Sequence, residues 1–223
     1  MSEEQAVSIA SATPVIRPAE LAAYLAARMC HDFISPASAI VSGLDLLEDP
    51  SAQDMREEAM GLIATSARKL ADLLQFSRVA FGASASAETF DVRELEKLAR
   101  GVFGHMRAEL EWLVEVPAVN KPAARVLLNL AQMAGAALPT GGTARVRAVQ
   151  EGASLAIAAD AGGPRARLRP EVLRGLRGEP QGEGLHGHWV QAYYVNLFLT
   201  DAGGRIFADV NEERVMFAAT VPI

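Results

Sequence analysis

Residues 18–48 read PAELAAYLAARMCHDFISPASAIVSGLDLLE, and their spacing decides the first half of the fold. Apolar side chains recur at Leu21, Leu25, Met29, Phe33, Pro36, Ile40, Leu44 and Leu47. Steps of three and four place them along one face of a single long helix. Pro18 suits the first turn, where its missing N–H is no loss, and Glu48-Asp49-Pro50 breaks the pattern. On a wheel of about 100° per residue the stripe centres near Met29, and His31 falls roughly 200° away, on the solvent side. Tyr24, Ala27, Ser35, Ser38 and Ser42 share that side and are mostly small, so another protein could approach the imidazole closely. Cys30 points away from His31 and reads as a small residue at the edge of the core.

Pro36 lies five residues after His31, inside the helix. A proline there removes a backbone hydrogen bond at a cost of about 3 kcal/mol, and a bend one turn beyond His31 is expected. A second helical run extends from about Ala52 to Phe81, with Met60, Ile63, Ala67, Leu70 and Leu74 on one side and Gly82 as its stop. Two long helices joined by a short turn make a hairpin over residues 18–81. Each helix carries an apolar stripe that the hairpin alone cannot cover. Pairing with a second copy as a four-helix bundle is the simplest remedy, so a homodimer is expected.

The chain has 223 residues, half of them apolar and 22% charged, with a net charge of −6. That balance is ordinary for a folded protein and argues against a nucleic-acid backbone as partner, since no basic run stands out. No stretch approaches the roughly 20 apolar residues of a membrane span. The N-terminus has acids where a secretory leader would have bases. One cysteine, Cys30, excludes an internal disulfide. These features lead us to expect a cytoplasmic protein.

Residues 1–17 are small, polar and aperiodic and read as a loose arm, and GASASAET (82–89) as a linker. Beyond it the pattern changes. Strands are expected at 90–92 and 111–116, with helices at 93–105 and 122–138. A hairpin of 143–149 with 154–158 turns at Glu151-Gly152, followed by a helix over 188–200 and paired strands at 205–209 and 214–221. Residues 90–223 therefore read as a two-layer α/β sandwich, and the whole chain as α plus α/β. Trp112, Trp189 and Tyr193-Tyr194 are expected in its core. His105 reads as structural or solvated. His186 and His188 have no third ligand nearby, so no metal site is expected.

Taken alone, an exposed helix histidine is ordinarily just a solvated side chain. The string His31-Asp32-Phe33-Ile34-Ser35-Pro36-Ala37-Ser38-Ala39-Ile40 resembles the H-box of two-component histidine kinases. It has a histidine followed by an acid, a proline at +5 and an aliphatic at +9, on the first helix of a hairpin. The resemblance implies a phosphoacceptor role for His31. It also implies a Bergerat-like ATPase sandwich after the bundle.

That second domain departs from the kinases where they hold nucleotide. In Leu127-Leu128-Asn129-Leu130-Ala131-Gln132-Met133-Ala134, Met133 takes the place of the magnesium-binding asparagine, and a thioether is a poor ligand for a hard cation. In Asp160-Ala161-Gly162-Gly163-Pro164, Pro164 replaces the second glycine of the adenine-reading motif, while Asp160 remains. In Gly182-Glu183-Gly184-Leu185-His186-Gly187, His186 interrupts a phosphate-cradling glycine box and Glu183 adds negative charge. The lid between these boxes is shortened to about 165–181. A pseudo-histidine kinase that binds no ATP is the expectation.

A dimerisation bundle with a degenerate ATPase domain, and the string Leu25-Ala26-Ala27-Arg28-Met29-Cys30-His31-Asp32-Phe33-Ile34-Ser35-Pro36, is similar to the ChpT family of alphaproteobacterial histidine phosphotransferases. This resemblance implies a cell-cycle phosphorelay. The donor would be the receiver domain of a CckA-like hybrid kinase, and the acceptors CtrA-like and CpdR-like response regulators. It implies no cofactor of the chain's own, with Mg²⁺ supplied by the receiver. His31 and Asp32 would carry the chemistry, and Ala27, Arg28, Ile34, Ser35 and Ser38 would meet the partner. Arg28 could offset phosphate charge or simply pair with Asp32 at i,i+4. An ATP-using kinase and a non-catalytic receiver-binding adaptor remain the rival readings.

Overall fold

Pro18 opens the first helix of the computed structural model, which describes residues 16–82, 88–180 and 186–223. Helix α1 (Pro18–Glu48) runs unbroken through Pro36. The proline has no N–H to give the Asp32 carbonyl four residues back, and it is buried in the hairpin seam. At the C-terminus the Asp49 carboxylate accepts hydrogen bonds from the Ser51 N–H at 2.8 Å and hydroxyl at 2.7 Å. With Pro50 this sets the turn. A single 3-10 turn (Gln53–Met55) leads into α2 (Arg56–Ala80).

The seam is made mostly of small side chains. Pro36 and Gly43 on α1 are buried, as are Ala59 and Ser66 on α2. A Cβ at Gly43 would lie 2.6 Å from Ile63 Cγ1, so the glycine lets the helices approach closely. Ile34, Val41 and Leu44 on α1, with Met60, Leu62 and Leu74 on α2, remain exposed.

The second half contains β1 (Thr89–Asp91), α3 (Val92–Phe103), β2 (Ala108–Val114), β3 (Ala118–Asn120), α4 (Lys121–Ala136), β4 (Gly142–Glu151) and β5 (Ser154–Gly162). It continues through α5 (Pro170–Leu176), α6 (His186–Asp201), β6 (Arg205–Asn211) and β7 (Arg214–Pro222). The main sheet has the order β2-β4-β5-β7-β6, with β2 parallel to β4 and the other pairs antiparallel. Burial alternates along β4, β5 and β7, as in a sheet with one covered face. Leu127, Leu128 and Leu130 of α4 meet Val146, Ile157 and Phe217 in that core. Asp91 and Asn120 cap α3 and α4, accepting the Arg93 and Ala123 amides.

The expected helices and hairpins are present, with two additions. Strand β3, three residues long, pairs with β1 and is too short to show alternation. Helix α5 forms within the expected lid, and Gly175 lets it lie against α6, since a Cβ there would meet the Trp189 carbonyl at 2.6 Å. Strand β2 begins three residues before the expected 111. Cys30 is exposed rather than at the core edge. The arm, apart from Ile16 and Arg17, most of the linker, and residues 181–185, which include most of the glycine box, lie outside the described residues.

The bundle and the sandwich share their packing. Trp189, Val190 and Tyr193 of α6 form a cluster with Leu21, Tyr24 and Leu25 of α1. Tyr24 meets Trp189 edge-on at 6.3 Å. Phe76, Val79 and Ala80 of α2 belong to the sandwich core. The apolar stripe of α1 is thus divided: its first turns cover α6, and its later ones face α2 or remain open.

Candidate functional site

His31 stands where the two units meet. Its side chain is 87% exposed, and its Nδ1 lies 3.4 Å from Asp32 Oδ1. The other Asp32 oxygen accepts a 3.0 Å hydrogen bond from Arg28 Nε. Arg28 is only 14% exposed, and its Nη1 donates to the Gly187 carbonyl in the first turn of α6. The i,i+4 pair of Arg28 with Asp32 is formed.

A cleft opens on each side of the imidazole. One, of about 340 Å³, is lined by Tyr24, Ala27, Arg28, Asp32, Gly187 and His188. The other, of about 300 Å³, runs from Ser35 past Lys69 and Leu73 to His105 and Gln132. His105 is structural: its Nε2 lies 2.8 Å from Asp72 Oδ2 on α2. Ala27, Ile34, Ser35 and Ser38 are all exposed on α1 around His31. Burial, then the Arg28 and Arg169 charges, hold the His188 pKa below the ordinary histidine value, against weaker opposing effects of Glu171 and Asp32.

Of the positions singled out in the nucleotide motifs, Met133, Asp160 and Pro164 do not converge on one cleft. Met133 borders a cavity of about 80 Å³ with Arg167, Leu168, Val172, His188 and Gln191. Asp160 projects to the open face of the sheet, where Arg214 grips its oxygens at 2.7 and 2.6 Å. Strand alternation places that side chain away from the helices, so it does not border this cavity. Pro164 is exposed, and its carbonyl accepts the Thr140 hydroxyl. His186 begins α6. Between α4 and α6, the buried Gln191 amide donates to Asn129 Oδ1 at 3.1 Å and Gln132 Oε1 at 2.7 Å.

Sequence reading missed two features of this region. Gly187 and His188 join the His31 cleft only because α6 docks on α1, which no local pattern announces. The other was legible: Arg165, Arg167, Arg169, Arg174 and Arg177 fall within thirteen residues with one acid, Glu171. The expectation that no basic run exists is corrected here; interleaved apolar residues disguised a basic segment. All five arginines are exposed. Among the described residues, only Arg177 of the five makes an ion pair, with Glu179. No group of three or more His, Cys, Asp or Glu able to hold a metal occurs among the described residues.

Comparison with known proteins places this architecture. Residues 92–214 match the histidine phosphotransferase C-terminal domain family. Protein phosphotransferase ChpT of Brucella abortus (strain 2308) is 34% identical over 201 residues, 90% of this chain and 95% of that protein. A solved bacterial phosphotransferase structure superposes with a TM-score of 0.83 at 33% identity, covering 93% of this chain and 99% of the other. A looser likeness, with a TM-score of 0.46 at 19% identity, is to the catalytic domain of the histidine kinase ThkA, over 60% of this chain and 93% of that one. The chain belongs to the histidine phosphotransferase family.

Proposed function

We propose that His31 takes a phosphoryl group from an aspartyl phosphate on one receiver domain and returns it to an aspartate on another. The observation that carries this reading is the exposed imidazole itself, paired with Asp32 and flanked by open clefts. With the proton on Nδ1 facing Asp32, Nε2 keeps its lone pair toward solvent. That nitrogen attacks phosphorus, a P–N bond forms, and the P–O bond to the donor aspartate breaks, leaving a carboxylate. The phosphorylated ring is then an imidazolium, whose charge Asp32 offsets. Return to a second carboxylate reverses these steps. Mg²⁺, which neutralises charge on the transferring oxygens, comes with the receiver in this reading. The basic segment at 165–177 supports an acidic partner face.

Several features support a donor other than ATP. Met133 occupies the metal-ligand position, and the Asn129–Gln191–Gln132 network fills the space between α4 and α6. The cavity at Met133, about 80 Å³, is far below the roughly 300–1,000 Å³ of small-molecule sites. The uncovered apolar side chains of the hairpin support a homodimeric four-helix bundle. No helix among the described residues is long and apolar enough to cross a membrane; a cytoplasmic relay is part of the proposal. Similarity to ChpT supports a hybrid-kinase receiver as donor and response regulators as acceptors, of the CckA, CtrA and CpdR kinds.

The test is transfer from a phosphorylated receiver domain to the wild-type protein and to His31→Ala. Labelled wild type and unlabelled variant are expected. An unlabelled wild type overturns the function, and label on both overturns the assignment to His31.

A further inference from the structure

We propose that Arg28 is a positioning residue through which the docked second domain sets the orientation of the His31 imidazole. Four groups stand in line: the Gly187 carbonyl on α6, the Arg28 guanidinium, the Asp32 carboxylate and His31 Nδ1. The first and last belong to units 156 residues apart in sequence. An ordinary surface pair at i,i+4 fixes little, because two long side chains retain their freedom in water. Here the guanidinium is largely buried and held at both ends. Its planar fork has a donor for each acceptor, which a lysine ammonium on a flexible stem does not match.

The consequence falls on Asp32. With Oδ2 held at 3.0 Å by Arg28, the carboxylate cannot swing freely, and Oδ1 stays beside His31 Nδ1 at 3.4 Å. A carboxylate fixed there favours the tautomer with its proton on Nδ1 and the lone pair on Nε2. Packing of α6 on α1 through Trp189 and Tyr24 holds Gly187 in reach of Arg28. A domain whose nucleotide motifs are altered thereby retains an effect on the reactive histidine. Arg28 touches neither phosphorus nor the attacking nitrogen in this scheme; it acts through Asp32.

The inference rests on the acceptor role of His31, but its first test needs no partner. Nitrogen NMR of the full-length protein, at a pH where the imidazole is neutral, reads the His31 tautomer ratio. The wild type should favour the Nδ1–H form, and Arg28→Gln should move the ratio to that of free histidine. Arg28→Lys, which keeps the charge but cannot bridge both acceptors, should lose most of the bias and serves if Arg28→Gln does not fold. Transfer by Arg28→Gln should show kcat reduced about tenfold with KM little changed, and no further loss when combined with Asp32→Asn. A wild-type ratio in a folded Arg28 variant, or effects of Arg28→Gln and Asp32→Asn that simply multiply, would overturn the proposal. A wild type that shows the bias but accepts no phosphate would overturn the acceptor role and leave this inference standing.

Discussion

Asp72, in the C-terminal half of α2, and His105, just beyond α3, meet at 2.8 Å, so the second domain is pinned to the bundle beside the cleft that reaches His31. Removing the imidazole strips a partly buried carboxylate of its partner. His105→Leu should lower stability by about 0.5–1.5 kcal/mol, the range for one lost hydrogen bond. Urea unfolding followed by tryptophan fluorescence measures this, and an unchanged midpoint would show that the contact ties nothing down.

The open apolar side chains on the hairpin lead to a second expectation. Val41, 56% exposed, stands between Ile34 and Leu44 on the uncovered side of α1. Val41→Glu places a charge in the proposed dimer seam, where it would be desolvated without a partner. Light scattering should give a dimer mass for the wild type and a monomer mass for the variant. A monomeric wild type would refute the bundle.

His188 predicts a pH dependence. Its pKa is lowered in the fold, so below the ordinary histidine value near 6.5 the unfolded chain binds a proton that the folded chain does not. Stability therefore declines as pH falls through that value toward the lowered one. Once both states carry the proton, this group contributes no further slope. Thermal unfolding of His188→Gln should be flatter than wild type between about pH 7 and pH 5. Identical slopes would contradict the burial and charge effects assigned to His188.

The Gln191 amide network and the small cavity beside Met133 lead to a fourth expectation. Titration calorimetry with ATP and Mg²⁺ should show no saturable binding, for wild type and for Met133→Asn alike. Binding by the variant alone would mean that the methionine is the sole defect. Binding by both would restore the kinase reading.

Much of this architecture was legible because it repeats. The three-and-four spacing from Leu21 to Leu47 shows a helix wherever it packs, and the alternation of Ser154–Gly162 shows a half-covered strand. What a stripe cannot say is which partner covers it. Leu21 and Leu25 turned out to serve α6, whereas Val41 and Leu44 remain uncovered. The site divides in the same way. His31, Asp32 and Pro36 lie within six residues and could be read together, whereas Gly187 and His188 reach them only through tertiary docking. Asp160 shows the same division. It keeps its place in an otherwise altered motif, and only alternation along β5 shows its side chain turned to the outer face and Arg214.

If phosphate rests on His31, locating the phosphate on the protein will show it there. After brief exposure to a phosphorylated receiver domain, the protein is digested with trypsin at neutral to alkaline pH, which preserves phosphohistidine. The peptide running from Met29 to Arg56 contains a single histidine, His31. Tandem mass spectrometry should find one acid-labile phosphoryl group on that residue. Phosphate on another residue, or none on a protein that has discharged its donor, would rule out His31 as the acceptor.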